Sequence, residues 1–484
     1  MPFIFLLLFA LVCLQTYWPE RPAWLTNQGC AMIVGTMVLA SWLSAGLIAK
    51  VLIWRMTRNP EQRSAILRRY AHWRRHHFIG LLAAYLASLY LLGWGSVLLD
   101  FWKEWFGSER RVIVPGMEIG LLAPFFIGLI LAWDRFYKVE KTAYELLHNS
   151  DRFLTRRSYL LLQVRHQMLL MMPPIFLLLL QQILFTIFPD WDDKSQIPAI
   201  IASVMLATAF LLMPILLRLF LGLKPLPAGP LRERLEYTAR RLRFGYSNVL
   251  VWHTRNLFAN AMVTGFIPWL RYIVLTDRLI DELTPDEIEA VFGHEVGHIK
   301  HHHLFFYLAF FLTSFILLTL CWDQLKGRIP LDEVVAALGA IPSFDGEDLK
   351  DTLKTLSSFI KLGVLAVYTL LFFGFISRRC ERQADLFGAR TVSTDVFISA
   401  LEKVADINGI PRRRSGNWLL SWQHPTIAQR VEFLQQMRDN PARVPRFNLS
   451  IRLMQGLLYI GLGFLLWVLW KLDLLDLWKL LAEF

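Results

Sequence analysis

Long apolar runs separated by short polar stretches dominate the first half of this chain. They lie at 3–17, 30–48, 78–99, 119–133, 168–188 and 197–223, and three more follow at 304–322, 359–376 and 453–470. A bilayer-crossing helix needs about 20 mainly apolar residues, so the pattern predicts about nine spans, the first and fourth of them short. The first run has no basic segment before it, and "LQTYWPE" makes a poor cleavage site, so a retained helix is expected there rather than a signal peptide.

The pattern changes at Lys224. "KPLPAGPLRERLEYTARRL" reads as a Pro- and Gly-punctuated exit from the membrane followed by a polar helix. Short runs rich in β-formers come next, "NVLVW" at 248–252, "FANAMVT" at 258–264 and "RYIVLT" at 271–276, and they predict a small sheet. A helix then opens at Thr284, with Pro285 at its first position and Glu287 placed for a capping box. After the two apolar runs at 304–322 and 359–376, a second polar section (377–447) carries "SRRCERQAD", a helix capped near Asp395, and "HPTIAQRVEFLQQM" with Pro425 at the first helical position. The closing "KLDLLDLWKLLAEF" has leucines at helical spacing, for a helix in the interface or in solvent. The expected divisions are 1–223, a membrane region of about six spans; 224–303 and 377–449, two parts of one polar domain; 304–376, a transmembrane hairpin between them; and 450–484, a last span and tail.

Composition agrees with a membrane protein: 55% of the 484 residues are hydrophobic and 19% charged. The formal charge of +12 is a topology signal. Residues 50–77 hold eight Lys and Arg against one acid, Glu61, and 135–165 is also basic, whereas "DWDDK" and 323–354 are acidic or balanced. Basic and acidic loops alternate with each crossing, which predicts the N-terminus and the polar domain inside, the C-terminus outside, and no nucleic-acid partner. The four cysteines have no CxxC spacing and read as small apolar residues.

The chemistry concentrates in "HEVGHIKHHH" at 294–303. His294 and His298 are four apart, so on a helix their imidazoles share one face and can share a metal. Glu295, beside the first ligand, can take a proton from a water whose pKa the metal lowers. Gly293 and Gly297 weaken the helix by roughly 1 kcal/mol each relative to Ala, which implies close packing or a ligand at those points. His301 lies about 10 Å along the axis from His294, too far to bind the same ion; the run 301–303 is expected to be a polar cluster at the membrane edge, with a weak second metal site as the alternative. Glu381 and Asp385 return to the same side after two crossings and share a helical face, so one carboxylate can bind metal while the other orients a histidine through its second nitrogen.

The set "NAMVTG", "RYIVLTDRLIDELTPDEIEAVFGHEVGHIK", "FISRRCERQADLFGAR" and "HPTIAQRVEFL" resembles the membrane gluzincin proteases, the CaaX prenyl endopeptidases and HtpX proteases, over roughly 245–440. The resemblance implies one Zn2+ per chain held by His294, His298 and Glu381, with Glu295 as general base and Asp385 as the aspartate of ExxxD. It also implies that His424 stabilises the oxyanion, that Arg430 supports the site, and that Asn260 and Ala261 lie on a strand that pairs with the substrate backbone. The six spans before and the one after the matched region depart from the compact HtpX pattern.

The sequence thus predicts a mainly α-helical polytopic membrane protein of about nine spans with a small α+β, gluzincin-like zinc protease domain on the inner face. The expected reaction is hydrolysis of a polypeptide substrate, membrane-associated, lipidated or damaged, at the cytoplasmic membrane surface. The alternative is a transporter or scaffold with a vestigial HExxH. A transporter places ionisable residues near mid-span; this chain has few there, and the polar but uncharged Gln181–Gln182 pair is the nearest candidate.

Overall fold

The computed structural model describes residues 18–106, 117–148, 153–165, 197–326, 367–412 and 425–471, with short helical pieces at 167, 179–180 and 363–365. The apolar runs at 3–17 and 168–188, the Gln181–Gln182 pair, His424 and the tail after Lys471 lie outside the described residues. The chain divides into two compact units, Met1–Ser195 and Gln196–Phe484.

The first unit is built from α1 (Asn27–Arg58), α2 (Arg63–Tyr90), α3 (Trp94–Phe106) and α4 (Met117–His148). Small side chains bring α1 and α4 close: Ala45 and Ala49 of α1 share a buried cluster with Ala132, Val139 and Ala143 of α4. Between apolar helices such close packing supplies the attraction that a hydrophobic driving force supplies in water. The run expected as one span at 78–99 is instead broken after Tyr90, and the α2 and α3 axes differ by 56°. Gly93 sits at the break with φ +67°, where a Cβ would lie 2.5 Å from the Arg21 nitrogen. The two basic segments meet within this unit: Tyr70 donates to Glu140 at 2.7 Å and Arg74 does so at 2.8 Å.

The second unit starts with α5 (Ile197–Leu221) and then forms a four-stranded sheet from β1 (Lys224–Pro225), β2 (Asn248–Trp252), β3 (Ala261–Thr264) and β4 (Tyr272–Thr276). The order is β1-β2-β4-β3, with β2 and β4 parallel and both outer pairs antiparallel. The three expected strands are present; β1 is the addition. Asn260 ends up just ahead of its strand, its carbonyl accepting from the Thr276 N–H at 3.0 Å. One face of the sheet, with Val249, Val251, Ile273 and Leu275, packs on Leu235 of α6 (Pro230–Arg241) and on Ile288, Phe292 and Val296 of the motif helix. The short α7 (Asp277–Glu282) leads from β4 into that helix.

The motif helix is α8 (Pro285–Lys300), and it starts as its sequence predicts: Thr284 and Glu287 form a reciprocal capping box and Pro285 occupies the first turn. Glu287 also accepts from Ser399 and Lys403, tying the cap to α11 (Thr394–Ile407). After His301 the chain turns through His302, at φ 56°, into α9 (His303–Lys326), inclined 46° to α8. The polar, capped α8 and the apolar α9 are thus separate segments on either side of the bend. Across from α8 runs α10 (Gly374–Thr391), followed by α11, α12 (Ile427–Asp439) and α13 (Arg443–Lys471). Two helix starts differ from expectation. Ser393, not Asp395, caps α11, and α12 begins two residues after Pro425 because Thr426 forms a capping box with Gln429. Among the described residues four helices are long and apolar enough to cross a membrane, or six if each bent pair is one span.

Glycines set how near α8 and α10 approach. A Cβ on Gly293 would meet Thr391 Oγ1 at 2.2 Å, one on Gly297 would meet Phe387 Cβ at 2.9 Å and Ala384 Cα at 3.1 Å, and one on Gly388 would meet the Ala290 carbonyl at 2.9 Å. Gly297→Ala is therefore expected to wedge the pair apart and destabilise the fold by about 1–3 kcal/mol, despite the better helix propensity of alanine. Thermal unfolding of the full chain in detergent checks this; an unchanged or raised midpoint would refute the close packing.

Candidate metal centre

The α8–α10 pair brings together residues from two distant parts of the chain. One turn of α8 carries His294 and His298, and α10 places Glu381 opposite them. One ligand atom from each of the three lies within 4.8 Å of the others, the one such group of three among the described residues. The Nε2 atoms of His294 and His298 are 3.3 Å apart, and Glu381 oxygens stand 3.8 Å from the first and 3.5 Å from the second.

The remaining ring nitrogens show why this arrangement suits a cation. His294 Nδ1 is 3.0 Å from Asp385 Oδ1, so its proton belongs there and Nε2 is left as a lone pair. Asp385 is fully buried and is gripped by Arg430, whose Nε donates to Oδ2 at 2.9 Å and Nη2 to Oδ1 at 2.5 Å. Of the two carboxylates on α10, Glu381 thus faces the histidines' shared side and Asp385 orients one of them from behind. Burial pushes the His298 imidazole well below its ordinary pKa, with His294 adding to the effect, which keeps it neutral as a ligand must be. Two imidazole nitrogens and a carboxylate converging on one point match the nitrogen and oxygen donors that zinc accepts.

His298 is held by a residue that the sequence reading assigned to the membrane edge. His303 is 1% exposed; its Nδ1 lies 3.0 Å from His298 Nδ1 and its Nε2 lies 3.0 Å from Gln383 Oε1. Gln383 in turn donates to Asn448 at 2.9 Å. The amide oxygen can only accept, so His303 Nε2 carries a proton, its Nδ1 accepts from His298 Nδ1–H, and His298 Nε2 faces the cluster unprotonated. His302 is exposed, as expected of an edge residue, and His301 caps α8 without reaching the cluster. The five-residue spacing from His298 to His303 was the available signal, but it makes sense only once the helix breaks between them.

Glu295 points to the other side, into a cavity of about 440 Å³ that it shares with the cluster, β3 and the Phe397–Val404 face of α11. Burial pushes its carboxyl up to about 7, with Glu381 adding to the effect and His294 opposing it. It accepts from the Val263 N–H at 3.2 Å. β3 is an edge strand of the sheet. The Thr276 bond to Asn260 fixes the alternation: even-numbered residues of β3 face β4, and the backbone groups of Ala261 and Val263 face the free edge. Asn260 and Ala261 both line the cavity, and Asn408, unremarked in the sequence, clamps Ala259 through both its amide atoms at 2.9 and 2.8 Å.

A helix-borne pair of histidines, with an acidic partner on a second helix and a glutamate between them, is the arrangement that the sequence resemblance implied. Residues 225–438 match the family described as Peptidase family M48. The chain is 27% identical over 194 residues to "Protease HtpX" of Pseudomonas savastanoi pv. phaseolicola (strain 1448A / Race 6) and 26% identical over 194 residues to "Protease HtpX" of Pseudomonas syringae pv. tomato. Both matches cover 37% of this chain and 62% of the relative, so less than two thirds of those proteins is spanned. The "Crystal Structure of S. mikatae Ste24p" shares the fold at a TM-score of 0.51 and 18% identity, over 86% of this chain and 100% of that one. The matched stretch, 225–438, takes in His294, Glu295, His298, Glu381 and Asp385, so the similarity to Peptidase family M48 falls on the cluster itself.

The geometry predicts an order of metal loss. Glu381→Ala removes a donor and should strip most zinc, His303→Ala should weaken zinc binding by about ten- to a hundred-fold, and His301→Ala should leave it unchanged. Metal analysis and chelator competition on the purified variants check the series. Equal loss from Glu381→Ala and His301→Ala would refute the ligand assignment.

Proposed function

We propose that this chain is an integral-membrane zinc metalloendopeptidase that cleaves membrane-associated, lipidated or damaged polypeptides at the cytoplasmic surface. In this reading 224–303 and 377–449 form one catalytic domain, joined through the hairpin at 304–376, with the N-terminus inside and the C-terminus outside. The observation that carries the reading is the placement of Glu295. It stands between the His294–His298–Glu381 group and the free edge of β3, inside one cavity.

His294, His298 and Glu381 would hold one Zn2+ per chain, and its chemistry there would be that of a Lewis acid that lowers the pKa of water and polarises a carbonyl. The chain's own residues do the rest. An extended peptide adds to β3, its backbone pairing with Ala261 and its neighbours while Asn260 contacts the peptide backbone at the cavity mouth. Glu295 accepts the proton of the attacking water and returns it to the leaving amine. His424, just ahead of α12, donates to the oxyanion. Arg430 and Asp385 keep His294 in the tautomer and orientation the reaction needs.

Two outcomes test the reading. Glu295→Gln keeps the side-chain shape and should keep zinc, while hydrolysis of an added peptide falls by about a hundred- to ten-thousand-fold. A vestigial site in a transporter or scaffold would show no difference between the two proteins. Ala261→Pro removes a donor from the free edge of β3 and leaves the bonds to β4 in place, so zinc stays bound while peptide cleavage drops sharply. Normal cleavage by a folded, zinc-loaded Ala261→Pro protein would refute docking on this strand.

A further inference from the structure

The first unit contains a built cavity that the protease reading does not use. A groove of about 270 Å³ opens between α1 and α4, lined by Trp42, Gly46, Leu47 and Lys50 of the first helix and Arg135 and Lys138 of the second, among others. None of its described lining residues is acidic. The nearest acids on α4 are engaged elsewhere: Asp134 pairs with Arg156, and Glu140 accepts from Tyr70 and Arg74. Three cations therefore share one concave site with no anion to balance them.

The groove is graded along the helix axes. Leu47 is 65% exposed on its apolar part, at a level where α1 has only uncharged residues, and Lys50 lies beyond the apolar run that ends at residue 48. On α4 the apolar run ends at 133, immediately before the cationic turn of Arg135 and Lys138. Gly46 lines the groove beside the Arg135 side chain, which a Cβ there would meet at 3.5 Å, an ordinary contact distance. The Arg135 guanidinium lies over the Trp42 ring at 3.9 Å, which fixes its height beside an indole, the side chain that favours the headgroup level of a bilayer.

An apolar floor meeting three cations, with Arg135 held over the Trp42 ring, matches one occupant. We propose that this groove binds an anionic phospholipid, its phosphate held by Lys50, Arg135 and Lys138 and an acyl chain lying along Leu47 and Trp42. A zwitterionic lipid would bring its own cation into the cluster, and a free phosphate would leave the apolar floor bare.

Native mass spectrometry of the full chain in neutral detergent tests this, with phosphatidylglycerol and phosphatidylcholine titrated separately. Phosphatidylglycerol is expected to bind more tightly. Lys50→Gln/Arg135→Gln/Lys138→Gln should weaken it by about ten-fold or more, while Arg58→Gln/Arg68→Gln/Arg69→Gln, an equal loss of charge outside the groove, should not. Gly46→Trp, which fills the groove and keeps every charge, should weaken it as well. Equal binding of the two lipids, an unchanged affinity in the groove variant, or equal loss in the control would overturn the proposal. So would competition by glycerol 3-phosphate at the concentrations at which the lipid binds, since the site would then recognise a soluble phosphate.

Discussion

The distance between two helices governs this site. Backbone meets backbone where α8 and α10 cross, because Gly293 and Gly297 on one and Gly388 on the other present no side chain to the contact. That approach lets a carboxylate as short as Asp385 reach His294 and brings Glu381 opposite both histidines. The glycines lower the intrinsic stability of both helices, and buried contact with Thr391, Phe387 and Ala384 offsets the loss. A helix pair held further apart would contain the same motif residues and no site.

Around this contact the structure fixes each histidine twice, once through the ring nitrogen that faces the cluster and once from behind. Asp385 with Arg430 holds His294; His303 with Gln383 and Asn448 holds His298. The two supports differ in kind. Asp385–Arg430 is a buried, bidentate ion pair, and removing either partner from such a pair costs about 3–5 kcal/mol because a charge is left uncompensated. The His303 chain is neutral and sets a tautomer. Its existence depends on the 46° break after α8, which turns the first residue of the apolar helix back toward the motif. Gln455 of α13 donates to the His301 carbonyl at 2.9 Å and anchors that break.

The sheet serves the site by what it leaves unpaired. β4, buried along its whole length, carries β2 on one side and β3 on the other, so β3 has a free edge beside Glu295. Unpaired edges invite association, and proteins usually cover them. Here the edge opens into the cavity, and Glu295 itself takes the Val263 N–H. The acid beside the metal ligands and the backbone that would grip a peptide are thus in direct contact.

Much of this was legible in the amino-acid order because it depends on short-range periodicity. Short runs of β-formers marked the three main strands, the Thr284–Glu287 capping box marked the start of α8, and four-residue spacing put His294 with His298 and Glu381 with Asp385. Apolar length marked the membrane helices. Local pattern was silent, or misleading, wherever a residue acts through something far away in the chain. His303 read as an edge residue because its partners are Gln383 and Asn448, some 80 and 145 positions on. The break after Tyr90 lay inside a continuous apolar run, since it depends on the Arg21 backbone pressing on Gly93. Which of Glu381 and Asp385 faces the histidines' shared side, and which lies behind, was settled by how α10 packs on α8 and by Arg430 coming in from α12. The amino-acid sequence by itself determined the helices, the strands and the identity of the reactive groups, because those follow from neighbours along the chain. Only the tertiary structure decided the order of the strands, the free edge and the role of each carboxylate and histidine, because those follow from which surfaces are small enough to touch.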